Sequence, residues 1–119
     1  MKYSNSFTHD LVIGEKAETW AKELFYGNLK VEVKVDSMAH RTGNIYIEVY
    51  SRGKPSGISV TDADIWIYKI EEIGVSIVIP IRNLKELVRE NFTHHGFKNG
   101  GDDDTSVGVL IPISKIFKK

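Results

Sequence analysis

The first clear pattern along the chain is a row of apolar residues with helical spacing. It recurs at positions i, i+3, i+4, i+7 and i+8, which is typical of one buried helix face. The row consists of Ala17, Trp20, Ala21, Leu24 and Phe25. We predict a helix that begins at Gly14 and ends at Gly27 and Asn28, two residues that stop helices. Residues 1–9 carry little pattern, and we expect them to form a loose arm.

Two segments with a period of two follow this helix. Residues 30–36 place valines on one face and Glu32, Lys34 and Asp36 on the other. The second segment has Ile45, Ile47 and Val49 on one face, and its other face carries Tyr46, Glu48 and Tyr50. Residues 41–44 read as a turn, so we expect the two strands to pair as a hairpin with the valine face buried.

The remaining pattern predicts three more strands and a second helix. The strands are residues 64–70, 75–80 and 106–111, and the helix is capped by Asn83. Polar, glycine-rich loops occupy residues 52–57 and 96–104. The order of helix, strands, helix and strand is typical of an α+β or mixed α/β fold, a mixed sheet flanked by two helices. A length of 119 residues predicts a single domain, 1–119.

Composition narrows the function classes. The chain has no cysteine, which excludes disulfide scaffolds, thiolate zinc sites and cysteine nucleophiles. It has no signal-peptide pattern and no apolar run long enough to cross a bilayer, so we expect a cytoplasmic protein. The 16 basic and 16 acidic residues balance. A balanced charge counts mildly against a passive DNA binder and less against a metal-dependent nuclease, whose carboxylates offset its basic groups.

The polar faces of the first two strands carry the candidate chemistry. In the expected hairpin Asp36 and Glu48 lie close together, with Lys34 on the same face as Asp36. Carboxylates on adjacent strands suit Mg²⁺, which takes oxygen ligands and keeps waters for a substrate phosphate. A nearby lysine stabilises the negative charge that develops when a phosphodiester is cut. The same alternation also fits an ordinary half-exposed strand, and the pattern by itself leaves both open.

Two flanking features favour the metal site. Glu18 lies at the margin of the apolar helix row, from where it could reach the strands, although it also fits a solvated helix position. The loop of residues 52–57 offers Arg52, Lys54 and backbone N–H groups to a phosphate backbone. A rigid turn with no ligand explains that loop equally well.

The succession Glu18, Asp36, Glu48 resembles the PD-(D/E)xK nuclease superfamily. It looks most like the Holliday-junction-resolvase branch and small phage endonucleases, homing endonucleases included. The resemblance spans roughly residues 10–112 and implies a restriction-endonuclease-like αβββαβ core. The segments that carry it are residues 31–36, 42–45, 51–57, 61–66 and 100–102.

The resemblance implies a Mg²⁺-dependent DNA endonuclease in which Mn²⁺ substitutes. Asp36, Glu48 and Glu18 would hold the metal, and Lys34 would complete the catalytic set. The residues implied as DNA contacts are Arg52, Lys54, Ser56 and His40. The substrate would be a branched junction or a specific site cut for a phage or mobile element. A domain this small rarely reaches both strands of a duplex, so we expect a homodimer.

One position departs from the family pattern. The family places a lysine two residues after the second acid, and this chain has Tyr50 there. The glutamate and lysine of the motif could instead be Glu32 and Lys34. The preceding aspartate would then have to be Asp10, which comes before the helix and does not suit the order of elements in the family. We therefore expect Lys34 to supply the charge, with Lys54 as the second candidate. The tyrosine also fits a non-catalytic nucleic-acid-binding protein with the nuclease fold, and a third alternative is an interaction domain without a metal.

Overall fold

The computed structural model describes residues 2–100 and 105–117, and the chain divides into two compact units, Met1–Lys30 and Val31–Lys119. The first unit contains the helix α1 (Lys2–Tyr26). It includes residues 2–9 of the expected arm and ends as predicted before Gly27; residue 1 lies outside the described residues. The predicted buried row is only partly buried: Leu24 is buried, whereas Trp20 and Phe25 are 41% and 76% exposed.

The second unit contains seven strands and three helices within the described residues. The helices are α2 (Ala39–Thr42), α3 (Ile81–His95) and α4 (Ile113–Ile116). The strands are β1 (Val31–Asp36), β2 (Asn44–Ser51), β3 (Lys54–Pro55), β4 (Ile65–Ile70), β5 (Val75–Pro80), β6 (Lys98–Gly100) and β7 (Ser106–Pro112). Of the glycine-rich loop predicted at 96–104, residues 98–100 form β6, and residues 101–104 lie outside the described part.

The strands form two sheets. In the first, β1 runs parallel to β4, and β4 runs antiparallel to β5. The second is antiparallel with the order β3-β2-β7-β6. This arrangement confirms the α+β class with a mixed sheet. No helix in the described residues combines the length and apolar character needed to cross a bilayer.

The expected hairpin between β1 and β2 is wrong, because the two strands belong to different sheets. The connection between them is the helical turn α2, whose end is marked by Gly43 in the left-handed region at φ 74°. The Asp36 side chain accepts the first backbone N–H groups of this turn. The chain therefore leaves β1 in a helical turn, and β1 takes its partner from β4.

The expected burial of the β1 valines is also wrong. Parallel pairing sets Glu32 beside Trp66 and Lys34 beside Tyr68, and both aromatic side chains lie in the core. The polar side chains of β1 therefore face inward and are half-buried, while Val33 is 55% exposed.

The core lies among β2, β4, β5, β7 and α3. These elements contribute aliphatic and aromatic side chains that contact one another across the two sheets. The fully buried members with the largest side chains are Trp66, Ile45, Ile47, Leu84, Ile111 and Val109. This cluster fixes the relative position of the two sheets, because each contributes one face to it.

A β-bulge interrupts β2 directly after Glu48. Glu48 pairs with Gly108 and Tyr50 pairs with Val107, so Val49 is an extra residue in the ladder. Neighbouring residues of β7 face opposite sides of the sheet, so Glu48 and Tyr50 do as well. The expectation that these two share a face is therefore wrong.

Tyr50 packs on the α3 side of the second sheet. Its ring meets the ring of Phe97 edge-on, with the centroids 6.1 Å apart. The Phe97 ring in turn contacts the ring of Phe92 on α3, with the two centroids 4.4 Å apart. The position that departs from the family pattern is thus part of an aromatic cluster.

The inverted burial of β1 gives a stability prediction. Val109→Ala should lower the free energy of unfolding by about 2 kcal/mol, because it leaves a cavity in the core. The matched change Val35→Ala should cost less than about 0.5 kcal/mol, because that side chain is 63% exposed. Urea denaturation measures both. Equal losses would mean that the valine face is buried after all.

Candidate functional site

A cavity of about 250 Å³ opens where β1 and β4 meet β2 and β7. Its walls combine acidic, basic, hydroxyl and aromatic side chains. The lining residues are Lys34, Val35, Asp36, Tyr46, Glu48, Trp66, Tyr68 and Ser106. Lys34, Asp36 and Glu48 were predicted as site residues, and they line this one cavity although their strands lie in different sheets.

Asp36 occupies the end of β1, and hydrogen bonds hold its carboxylate on both sides. Its Oδ1 accepts the backbone N–H groups of Met38 and Ala39, the second at 2.7 Å. Its Oδ2 accepts the hydroxyl of Tyr68. The carboxylate therefore caps α2 and faces the cavity at the same time.

These contacts set the ionisation of Asp36. Partial burial raises the pKa of its carboxyl group, but the hydrogen bonds from Tyr68, Met38 and Ala39, together with nearby His40, outweigh it and leave the pKa below its ordinary value. Burial, and then the hydrogen bond to Asp36, raise the pKa of the Tyr68 hydroxyl. Asp36 is therefore an anion and Tyr68 a neutral donor at neutral pH.

Tyr68 joins the two sheets at the cavity. Its side chain belongs to β4. Its hydroxyl oxygen accepts a hydrogen bond from the backbone N–H of Tyr46 on β2 at 3.1 Å, and its hydroxyl hydrogen is donated to Asp36 on β1. One hydroxyl thus connects three strands. It fixes the position of the β1 carboxylate relative to β2, the strand that carries Glu48.

Glu48 is held by two hydroxyl groups. Ser56 donates to its Oε2 at 3.0 Å, and Ser106 donates to its Oε1 at 2.7 Å. Because the single hydroxyl hydrogen of Ser106 is used there, Tyr46 is the donor in the 2.9 Å contact between the Tyr46 and Ser106 hydroxyls. The carboxylate is therefore oriented from both ends.

Two glycines allow this close packing. A Cβ at Gly57 would lie 2.3 Å from the backbone oxygen of Glu48, and Gly57 adopts a φ of +55°. A Cβ at Gly108 would lie 2.6 Å from the ring of Tyr46. The loop that carries Ser56 and the strand opposite Glu48 can approach the acid only because these positions lack side chains.

Lys34 places a cation beside the two acids. Its Nζ lies 5.6 Å from the centroid of the Trp66 ring, within the range of a cation–π contact, and 3.8 Å from Glu32 Oε1. The Trp66 ring is 1% exposed, and its indole N–H has no hydrogen-bond partner among the described residues. This indole N–H is a buried polar group without a partner in the wall of the cavity.

The other predicted site residues lie on α1, on α2 and in the loop that follows β2. Glu18 is exposed on α1, in the first unit. Arg52 and Lys54 are exposed at the turn between β2 and β3, and Arg52 takes a φ of +53°, unusual for a residue with a side chain. His40 is exposed on α2. Ser56, predicted as a DNA contact, donates its hydroxyl hydrogen to Glu48.

Sequence reasoning missed four residues that line the cavity. Tyr46, Tyr68 and Ser106 hold the acids, and Trp66 supports the lysine. The polar tips of Tyr46 and Tyr68 in strands with apolar neighbours were the available signal, since such hydroxyls need partners when buried. Ser106 carried no signal, because its role depends on how β7 pairs with β2.

The wall of the cavity offers two protein carboxylates, those of Asp36 and Glu48, to a divalent cation. Each carboxylate oxygen accepts about two hydrogen bonds. Asp36 Oδ2 and both oxygens of Glu48 each accept one in the contacts described above, so each keeps an acceptor site. No group of three acidic or histidine side chains converges in the described residues. A hard cation bound by one or two carboxylates and several waters is the arrangement that Mg²⁺ prefers.

Comparisons with protein-family models, curated proteins and solved structures return no match. The geometry of the cavity is therefore what indicates a function for this protein.

The lowered pKa of Asp36 predicts how stability depends on pH. A carboxyl group whose folded pKa is depressed contributes stability above its unfolded pKa, near 3.8, and the contribution is lost as pH falls through the folded pKa. Asp36→Asn should therefore lower the free energy of unfolding most at pH 7, and the deficit should narrow below about pH 4. Urea denaturation of both proteins across this range measures it. A deficit that stays constant would show that the charge of Asp36 does not contribute.

Proposed function

We propose that this protein is a Mg²⁺-dependent DNA endonuclease of the PD-(D/E)xK type. The observation that carries the proposal is the meeting of Lys34, Asp36 and Glu48 on one cavity. Two acids can hold a metal ion that activates water for phosphodiester cleavage, and a lysine can stabilise the charge that develops on the phosphate. They come from two sheets and from strands that do not pair with each other, so the fold has to bring them together.

Asp36 and Glu48 would hold the metal through the oxygens that keep an acceptor site. A bound Mg²⁺ supplies Lewis acidity and lowers the pKa of an attacking water. The protein's part is to orient the two carboxylates. Tyr68 does so for Asp36, and Ser56 and Ser106 do so for Glu48. Mn²⁺ has similar oxygen preferences and should substitute.

Lys34 would stabilise the negative charge that develops on the phosphate. Its ammonium group lies over the Trp66 ring, which steadies the charge. The bulge at Val49 supports this assignment, because a side chain at position 50 faces away from Glu48. The absence of lysine at that position therefore does not leave the cavity without a cation.

Arg52, Lys54 and His40 would contact the DNA backbone from exposed positions. Arg52 and Gly53 both have positive φ, so the tight turn between β2 and β3 presents the arginine from a strained backbone, which is common at ligand-contacting sites. Glu18 stays a proposed third acid. An enzyme of this kind would act in the cytoplasm, either on branched DNA or at specific sites in duplex DNA.

A second candidate function is binding of nucleic acid without cleavage. It is favoured by the hydrogen bonds of Asp36, which caps α2 with one oxygen and accepts from Tyr68 with the other. A carboxylate engaged in this way has a structural role that needs no metal.

Metal-dependent nicking tests the first candidate. The protein should nick supercoiled plasmid or a four-way junction in Mg²⁺ or Mn²⁺ and be inactive in EDTA. Glu48→Gln keeps the shape of the side chain and should reduce cleavage at least about 100-fold, because it removes a charged ligand. The same substitution should weaken Mn²⁺ binding, measured by electron paramagnetic resonance. Glu72→Gln, on an exposed turn, is the matched control and should change neither.

The remaining outcomes separate the alternatives. DNA that is bound but left intact, with no effect of EDTA, would overturn the nuclease and support the second candidate. No association with DNA at low salt would favour an interaction domain without a metal, since backbone contacts are strongest at low salt.

The two candidate lysines make a separate prediction. Lys34→Met keeps an unbranched side chain of similar length without the charge, and it should abolish cleavage while leaving DNA binding and unfolding nearly unchanged. Lys54→Met should weaken DNA binding by a few fold and leave cleavage at saturating DNA intact, because its side chain is outside the cavity. Filter binding and single-turnover cleavage measure the two effects. The reverse result would assign the catalytic charge to Lys54.

A further inference from the structure

The outer edge of β1 is available for pairing. β1 stands at one end of the order β1-β4-β5, and within the described part of the second unit no strand pairs with its outer side. An edge strand of six residues presents backbone N–H and C=O groups that a further strand can use. The second sheet ends instead in the short strands β3 and β6, of two and three residues.

The sequence of β1 is complementary to itself. If two copies of Val31–Val35 run antiparallel about Val33, Glu32 lies opposite Lys34 of the second copy and Lys34 lies opposite Glu32. Opposite charges at directly facing positions stabilise antiparallel pairs. β5, the strand at the other edge of this sheet, has the sequence VSIVIP. It carries no charged residue and therefore lacks this charge complementarity.

The other face of β1 supports the same pairing. The three valines are 37%, 55% and 63% exposed, which leaves an apolar row on the sheet surface. In the antiparallel pair Val31 would face Val35 of the second copy, and Val33 would face its own counterpart. Each exposed valine would then gain an apolar neighbour across the strands.

We propose that two copies of this chain pair through the outer edges of β1, antiparallel about a two-fold axis at Val33. The two three-stranded sheets would become one continuous sheet of six strands. Charge complementarity commits the edge to a second copy, because that partner supplies both a lysine opposite Glu32 and a glutamate opposite Lys34.

The pairing has a consequence for the active site that rests on the proposed function. Asp36 is three residues from the axis in each copy, so the two would lie about 20 Å apart along the strands at about 3.4 Å per residue. The major groove of DNA is about 12 Å wide. Two sites at this spacing could straddle the groove and address one strand each.

Light scattering and sedimentation of the full chain test the pairing independently of DNA cleavage. The wild-type protein should be a dimer. Val33→Lys and Val33→Glu each place like charges opposite one another at the axis and should each weaken self-association by about tenfold or more. An equal mixture of the two variants should restore the dimer as a heterodimer. Both should fold, because Val33 is more than half exposed, and circular dichroism checks this.

Val78→Lys is the matched control. Val78 stands in the same row of the same sheet face, with Ile67 between it and Val33, but it lies on β5. This variant should stay dimeric. A dimer that Val33→Lys leaves intact, or that Val78→Lys breaks, would overturn edge pairing, as would a wild-type monomer. A dimer that does not cut DNA would leave the pairing standing and remove the proposed function.

Discussion

The hydroxyl group of Tyr68 is the contact on which the cavity depends. It accepts a backbone N–H from β2 and donates to a carboxylate at the end of β1, while its own strand forms the centre of the mixed sheet. A buried hydroxyl must satisfy its hydrogen-bonding capacity, and here both of its partners belong to other strands. The separation between the two acidic strands follows from that requirement. Asp36 and Glu48 face one space because a single phenol connects the strands that carry them.

The positions of the elements could largely be predicted from the chain, and their partners could not. The alternation along residues 30–36 and 64–70 is local, and the strands appear close to where it indicates them. Pairing depends on residues distant in sequence: β1 binds β4 in parallel, and β2 binds β7 from the far end of the chain. The valines of β1 illustrate the limit, because a period of two defines two faces but not which of them is buried.

The candidate site shows the same division. Asp36, Glu48 and Lys34 were identified from residue type and alternation, and they line one cavity, yet the hairpin expected to bring them together does not exist. The residues that orient the acids, such as Ser56 and Ser106, are ordinary in composition and acquire their roles through the loop at Gly57 and the pairing of β7. The bulge at Val49 was equally invisible. The bulge changes which residues after Glu48 lie on the same face of the sheet. A motif read from spacing along the chain assumes a regular strand, so it could not include this change.

The distribution of the cavity residues over four strands also affects the order in which the protein is made. The segment from β1 to β4 supplies Lys34, both acids, Trp66 and Tyr68, but Ser106 belongs to β7, near the end of the chain. During synthesis the acids emerge from the ribosome well before the strand that completes their surroundings. A nascent chain would therefore hold Glu48 without its full support until β7 has joined β2. Any chemistry that this cavity performs would begin only after the fold has closed.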